Sequence, residues 1–252
     1  MRYLIPLCIT AILGACGQTN QHTVATVLQD PKDVLVFIDK SKSVSYKDSA
    51  VLKKTMKSVF THVNMLQNPN DRIYVYFIHG NTASSSADTS YVIPALPNTK
   101  NKSALERNTA MYTYNTEVKR QKEAVAASIK RRLAMENSCK TENNTDIIGA
   151  LEVISRKHSA RKQKHVLLLT DGIQACTGFA FSNFTDRKHA LNAASLHLKS
   201  IDNRYNIQKD ALNGVHISMV APVRSIDNDL NKFVQDYWER FLNEYSVQVQ
   251  FN

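Results

Sequence analysis

The chain is expected to fold as an α/β protein on an open, mostly parallel sheet, with helices on both faces and one antiparallel edge strand. Three observations predict this. Two apolar runs of strand length, Val34 to Ile38 and His165 to Leu169, lack polar alternation, as strands covered on both faces do. Segments with apolar residues at helical spacing lie between and after them. Both runs also end in acidic and hydroxyl residues, Asp39-Lys40-Ser41 and Thr170-Asp171-Gly172, where an open sheet places its binding crevice.

In order, residues 1–15 read as an export leader: Arg2 gives a positive start, and Tyr3 to Ile12 is an apolar run too short to span a bilayer. Leu13-Gly14-Ala15-Cys16 resembles the bacterial lipobox, which implies cleavage before Cys16 and lipid attachment there. Residues 16–32 are polar and without sustained periodicity, as in a tether, and the domain is expected over 33–252. After the first strand, Val51, Leu52, Met56, Val59, Phe60, Val63 and Leu66 mark a helix. A second strand is expected over Arg72 to Ile78. A third, Tyr91 to Leu96, carries Pro94 and therefore belongs at an edge.

Pro97 to about Asn115 reads as irregular, and Val118, Val125, Ile129 and Leu133 as one side of a helix rich in Lys and Arg. A polar loop, Glu136 to Asn144, precedes a short helix marked by Ile147, Ile148, Leu151 and Ile154. Beyond the His165 to Leu169 strand, Leu191, Ala194, Leu198 and Ile201 predict a helix, and Val215 to Ala221 a strand. Leu230, Phe233, Val234, Tyr237, Phe241, Leu242 and Tyr245 form the clearest helical stripe, before a terminal strand Val247 to Phe251.

The 252 residues can bury one sizeable core. Seven Gly, six Pro and 43% hydrophobic residues exclude collagenous and wholly disordered classes. A net charge of +10 favours anionic partners at long range. Lys119, Arg120, Lys122, Lys130, Arg131 and Arg132 concentrate that charge on one helix, which reads equally as a solvated face or as a patch for an anionic surface polymer. No aromatic residues interleave it in the manner of a single-strand nucleic-acid site, so nucleic acid is disfavoured.

Asp39, Ser41 and Ser43 recur at every second position, so in extended chain a carboxylate and two hydroxyls face one point, an arrangement for a hard cation. Singly, each residue has a plainer reading: a loop hydroxyl, a helix cap at Thr145, a turn at Thr170-Asp171-Gly172. As an ordered set at strand ends they point to one site. Asp39-x-Ser41-x-Ser43, Thr145 and Asp171 resemble the von Willebrand factor A family, whose Rossmann-like domain carries a metal-ion-dependent adhesion site (MIDAS). The resemblance implies that Ser41, Ser43 and Thr145 touch the ion, with Asp39 and Asp171 partly acting through water. It also implies a vacancy that an Asp or Glu of a protein partner completes. Mg²⁺ suits an octahedral oxygen site that retains water, with Mn²⁺ or Ca²⁺ as substitutes. Lys40 and Lys42 depart from the family pattern and are expected to point away from the ion by strand alternation.

The expectation is thus a binding, adhesion or assembly module held by lipid to a membrane of the bacterial cell envelope. The alternatives are a metal-assisted hydrolase or phosphoryl-transfer enzyme and an anionic-polymer binder. Enzymatic function is disfavoured, because the chain has no G-x-S-x-G elbow, P-loop or H-E-x-x-H helix. Loss of the leader removes Cys8, and the exported pair Cys139 and Cys176, flanking the motif loops, is expected to form a disulfide.

Overall fold

The computed structural model describes residues 30–41, 43–44, 46–135, 144–160, 163–176, 178–180, 184–222 and 228–252. The expected leader, Cys16, Lys42 and Cys139 lie outside them. The elements run β1 (Lys32–Asp39), α1 (Ser49–Asn64), β2 (Arg72–Ile78), β3 (Thr89–Val92), α2 (Ala104–Ala134) and α3 (Ile147–Lys157). They continue with β4 (Gln163–Leu169), α4 (Arg187–Ser200), α5 (Lys209–Leu212), β5 (His216–Val220), α6 (Asn228–Asn243) and β6 (Gln248–Phe251).

The six strands form one sheet in the order β3-β2-β1-β4-β5-β6. Only the β2–β3 pair is antiparallel, so the expected antiparallel strand sits at the edge. β1 is buried from Asp33 to Asp39, and its side chains alternate between two cores. Val34, Val36 and Ile38 pack with Val59 and Val63 of α1 and Val125 and Ile129 of α2. Leu35 and Phe37 join Ile148 and Leu151 of α3 and Trp238 and Phe241 of α6 on the opposite face. Each such aliphatic or aromatic side chain contributes roughly 1.5–3 kcal/mol by leaving water. An uninterrupted apolar run is therefore what a strand covered on both sides requires.

Three local readings change. The Pro97 to Asn115 segment is helical from Ala104, because Ser103 and Glu106 form a reciprocal capping box that starts α2 well before its buried stripe. The edge strand is Thr89–Val92 and ends ahead of Pro94, which would lack a ladder donor. A short helix, α5, precedes β5 where none was expected.

The connection from β1 passes to β2 through α1 on one face, and that from β4 to β5 passes through α4 on the other. The β1/β4 junction is therefore the topological switch point, and its crevice opens beyond the strands' carboxyl ends. The loop leaving β4 is held from below by α6. The Trp238 indole N–H donates to the Gly172 carbonyl at 2.8 Å, while Gly172 has φ +80° and no room for a Cβ, which would meet Val234 Cγ1 at 2.8 Å. Replacing Trp238 by Phe is expected to lower unfolding stability by about 2–3 kcal/mol, read by urea denaturation, because it leaves a buried carbonyl unpaired and a void beside it.

Candidate metal centre

The β1/β4 register puts Ile38 opposite Leu169, so Asp39 and Thr170 leave the sheet side by side. The Thr170 hydroxyl donates to Asp39 Oδ2 at 2.7 Å, and the Ser41 amide donates to Asp39 Oδ1 at 2.7 Å. Tyr46 lies beneath this pair and donates toward the carbonyls of Leu169 at 3.0 Å and Asp39 at 3.3 Å, stitching the two strand ends together. The Ser41 and Ser43 hydroxyls stand 3.0 Å apart, brought together by a turn in which the Val44 amide donates to the Ser41 carbonyl at 3.4 Å, rather than by the extended chain expected. Asp171 is half-buried and accepts from the Ile173 amide at 3.0 Å.

Asp39 is fully buried, and its pKa is raised to about 6. Burial is the main cause, and the neighbouring Asp171 charge adds to it, while the Thr170 and Ser41 bonds pull the other way. Asp171 thus lies near enough for its charge to repel that of Asp39.

Thr145 is fixed from two sides. Its amide donates to the Ala175 carbonyl at 3.2 Å and its carbonyl accepts from Ala175 at 2.9 Å, while the next amide, of Asp146, donates to the His79 carbonyl at 3.1 Å. His79 follows β2 and Ala175 lies beyond β4, so this short segment crosses the end of β1, where Asp39 sits. The helix cap is Asp146 rather than Thr145, with its carboxylate accepting from the Gly149 amide at 3.0 Å. Its surroundings are saturated: Tyr205 donates to Oδ1 at 2.6 Å and the Thr82 amide to Oδ2 at 3.1 Å. Gln174 accepts from the Ile147 and Ile148 amides at 2.7 and 3.2 Å. With its neighbours satisfied internally, Asp146 fixes the position of the buried Thr145 segment.

Sequence reasoning passed over Thr170 as a partner of Asp39, and also Tyr46 and Gln174. The Thr170-Asp171-Gly172 motif held the signal for the first. Nothing local marks the other two, whose roles arise from contacts across the sheet. Lys40 points away from the hydroxyls as expected: its ammonium donates to the carbonyls of Arg132 and Met135, the latter at 2.8 Å, capping the end of α2. Of the basic residues on that helix, Arg120 pairs with Glu117, and Arg132 with Asp88.

Cys176 is a free, buried thiol that receives a hydrogen bond from the Gln174 amide at 2.7 Å. Its expected partner, Cys139, lies outside the described residues. Near the crevice, His79 and Ser85 contact each other at 2.7 Å, but the Asn81 amide donates to His79 Nδ1 at 3.2 Å. The ring proton then lies on Nε2, so the imidazole donates to Ser85 instead of taking its proton.

The donor chemistry suits a hard cation. Among the described residues no group of three or more His, Cys, Asp or Glu is gathered for a metal, so a cation here must lean on hydroxyl and water oxygens. Both Asp39 oxygens already accept a protein hydrogen bond, which favours contact with an ion through water. The Asp39/Asp171 repulsion is what a cation would relieve.

No protein-family model and no curated protein matches the chain. Solved structures do match, at low identity. Proximal thread matrix protein 1 from the mussel byssus, with a zinc-occupied MIDAS motif, is 17% identical, with 87% of this chain and 41% of that one covered and a TM-score of 0.36. The manganese-loaded TRAP protein of Plasmodium vivax is 11% identical, covering 86% of this chain and 74% of that one at a TM-score of 0.33. The chain thus spans less than half the length of the mussel protein.

In chelator, Asp39 contributes stability that is present when the carboxyl is protonated and is lost as pH rises through about 6. Asp39→Asn is therefore expected to be more stable than the parent above that pH in EDTA, by up to about 3 kcal/mol, with the gap closing toward pH 4. Thermal melts across pH 4 to 8 check it.

Proposed function

We propose that this chain is a von Willebrand factor A-like binding module whose crevice takes one divalent cation and, through it, an acidic group of a protein partner. The observation that carries the reading is the convergence at the β1/β4 switch point. Two mutually repelling carboxylates, Asp39 and Asp171, share it with paired hydroxyls, and the Thr145 segment crosses the same strand end. Ser41, Ser43 and Thr145 would hold the ion directly, and Asp39 and Asp171 through water. When bound, the ion supplies an electrophilic attachment point for a carboxylate. Few direct carboxylates keep the ion electrophilic, and Mg²⁺ is the occupant best matched to hydroxyl and water oxygens, with Mn²⁺ or Ca²⁺ able to replace it.

The chain's own residues hold the frame. Thr170 and Ser41 orient Asp39, Asp146 and Gln174 hold the Thr145 loop, and Trp238 fixes the turn after Asp171. None of these acts as a nucleophile or base, and the His79–Ser85 contact has the wrong proton polarity for one, so adhesion or assembly is favoured over hydrolysis. The lipobox-like Leu13-Gly14-Ala15-Cys16 supports attachment to a membrane of the bacterial envelope through lipidated Cys16, with the module presented on a tether. Among the described residues no helix is long and apolar enough to cross a membrane.

Isothermal titration with Mg²⁺ and Mn²⁺ is expected to show one site, weakened at least about tenfold by Ser41→Ala, Thr145→Ala or Asp171→Ala with the fold retained by circular dichroism. Absence of uptake by the parent protein would sink the reading. Capture of an acidic protein partner is expected to be lost in EDTA and restored by Mg²⁺. Binding that responds to salt and not to chelator would instead assign the basic helix as the contact.

A further inference from the structure

A groove of about 500 Å³ lies between α1 and α2, on the sheet face away from α6. Leu52, Met56 and Phe60 form one wall, and Ala126 and Ala127 the other. The groove exists because the α2 positions facing those larger residues are alanines, which leave the space a Leu or Phe would fill. Ala127 and Phe60 are exposed, so the cavity opens to solvent. Its size lies within the usual range for small-molecule sites.

The polar residues at its rim are arranged by end. Lys40, at the carboxyl end of β1, caps the end of α2, and α1 begins just after the same strand end and runs back along the sheet. The two helices are therefore antiparallel. Lys53, in the second turn of α1, and Lys130, in the last turns of α2, sit at the same end of the groove. Phe60 and Glu123 lie seven residues from them along their helices, about 10 Å away at the other end. Among the described residues, neither Lys53 nor Lys130 has an ion-pair partner. The groove thus has an apolar length and a doubly cationic end, and its single acid is at the far end.

We infer that this groove binds a fatty-acid-like anion, a single apolar chain with a terminal carboxylate, its head between Lys53 and Lys130 and its tail running over Ala126 and Ala127 toward Phe60. Charge complementarity selects the anionic head, and the far-end Glu123 sets the chain's direction. A length of about two helical turns suits one acyl chain better than an amphipathic peptide helix, whose anchors extend over i, i+3, i+4 and i+7 and beyond. The inference is independent of the metal centre.

The test is titration of the full chain with monomeric dodecanoate in EDTA, by calorimetry and by displacement of a fluorescent fatty acid. Saturable binding of one equivalent is expected. Lys53→Met with Lys130→Met should weaken dodecanoate at least about tenfold while changing dodecanol binding little. Ala127→Phe, at an exposed position, should abolish binding of both with the melting temperature unchanged. The inference is overturned if dodecanoate does not bind or if Ala127→Phe binds it as the parent does. It is equally overturned if the chain takes up only vesicles of anionic phospholipid, or only an acidic amphipathic peptide, and no monomeric dodecanoate.

Discussion

The pairing of the β1 and β4 ends through one buried carboxylate is the constraint on which the rest of the site depends. Asp39 leaves the sheet level with Thr170, and its two oxygens are occupied by the Thr170 hydroxyl and the Ser41 amide. One contact joins the strands across the switch point and the other bends the chain so that Ser41 and Ser43 turn toward each other. Placing a carboxylate in such a dry position is unfavourable, and the nearby Asp171 makes it more so, as the raised Asp39 pKa reflects. A positive charge at that point would relieve the repulsion.

Around that pairing, every loop at the crevice is anchored by a different part of the domain. The Thr145 segment is bonded on both sides, to the turn after β2 and to the loop after β4, while Asp146 and Gln174 satisfy the first amides of α3. Lys40 ties the β1 loop to the end of α2, and Trp238 ties the β4 loop to α6. Side chains offered from three separated stretches need such support to hold one geometry, since each loop alone would sample many. The apolar groove and the crevice both adjoin α2, the groove along its side and the Lys40 contact at its end, while presenting different chemistry.

The strands and most helices were legible because their signals are local. Val34 to Ile38 is apolar without interruption and is buried on both faces, and the stripe from Val234 to Tyr245 belongs to α6 and the turn that follows it. The start of α2 was equally local, in Ser103 and Glu106, but its first turns carry Leu105 and Tyr112 exposed to solvent. A search for buried periodicity therefore passes over it, since capping and not burial starts this helix. Asp146 shows the converse case: a residue that looks like an ordinary first-turn acid is the cap itself, held by Tyr205 from 59 positions away.

The order of hydroxyl and acidic residues, and their placement after apolar runs, were decided by sequence alone, because residue order and the end of an apolar run are local properties of the chain. Strand order, register and the choice of neighbours were decided only by tertiary structure. That Thr170 rather than another hydroxyl meets Asp39 follows from the β1/β4 register, and that Tyr46 closes the same junction follows from both strand ends lying within reach of one ring. Those contacts join residues more than a hundred positions apart, and their energy exists only once the sheet has brought the strands side by side.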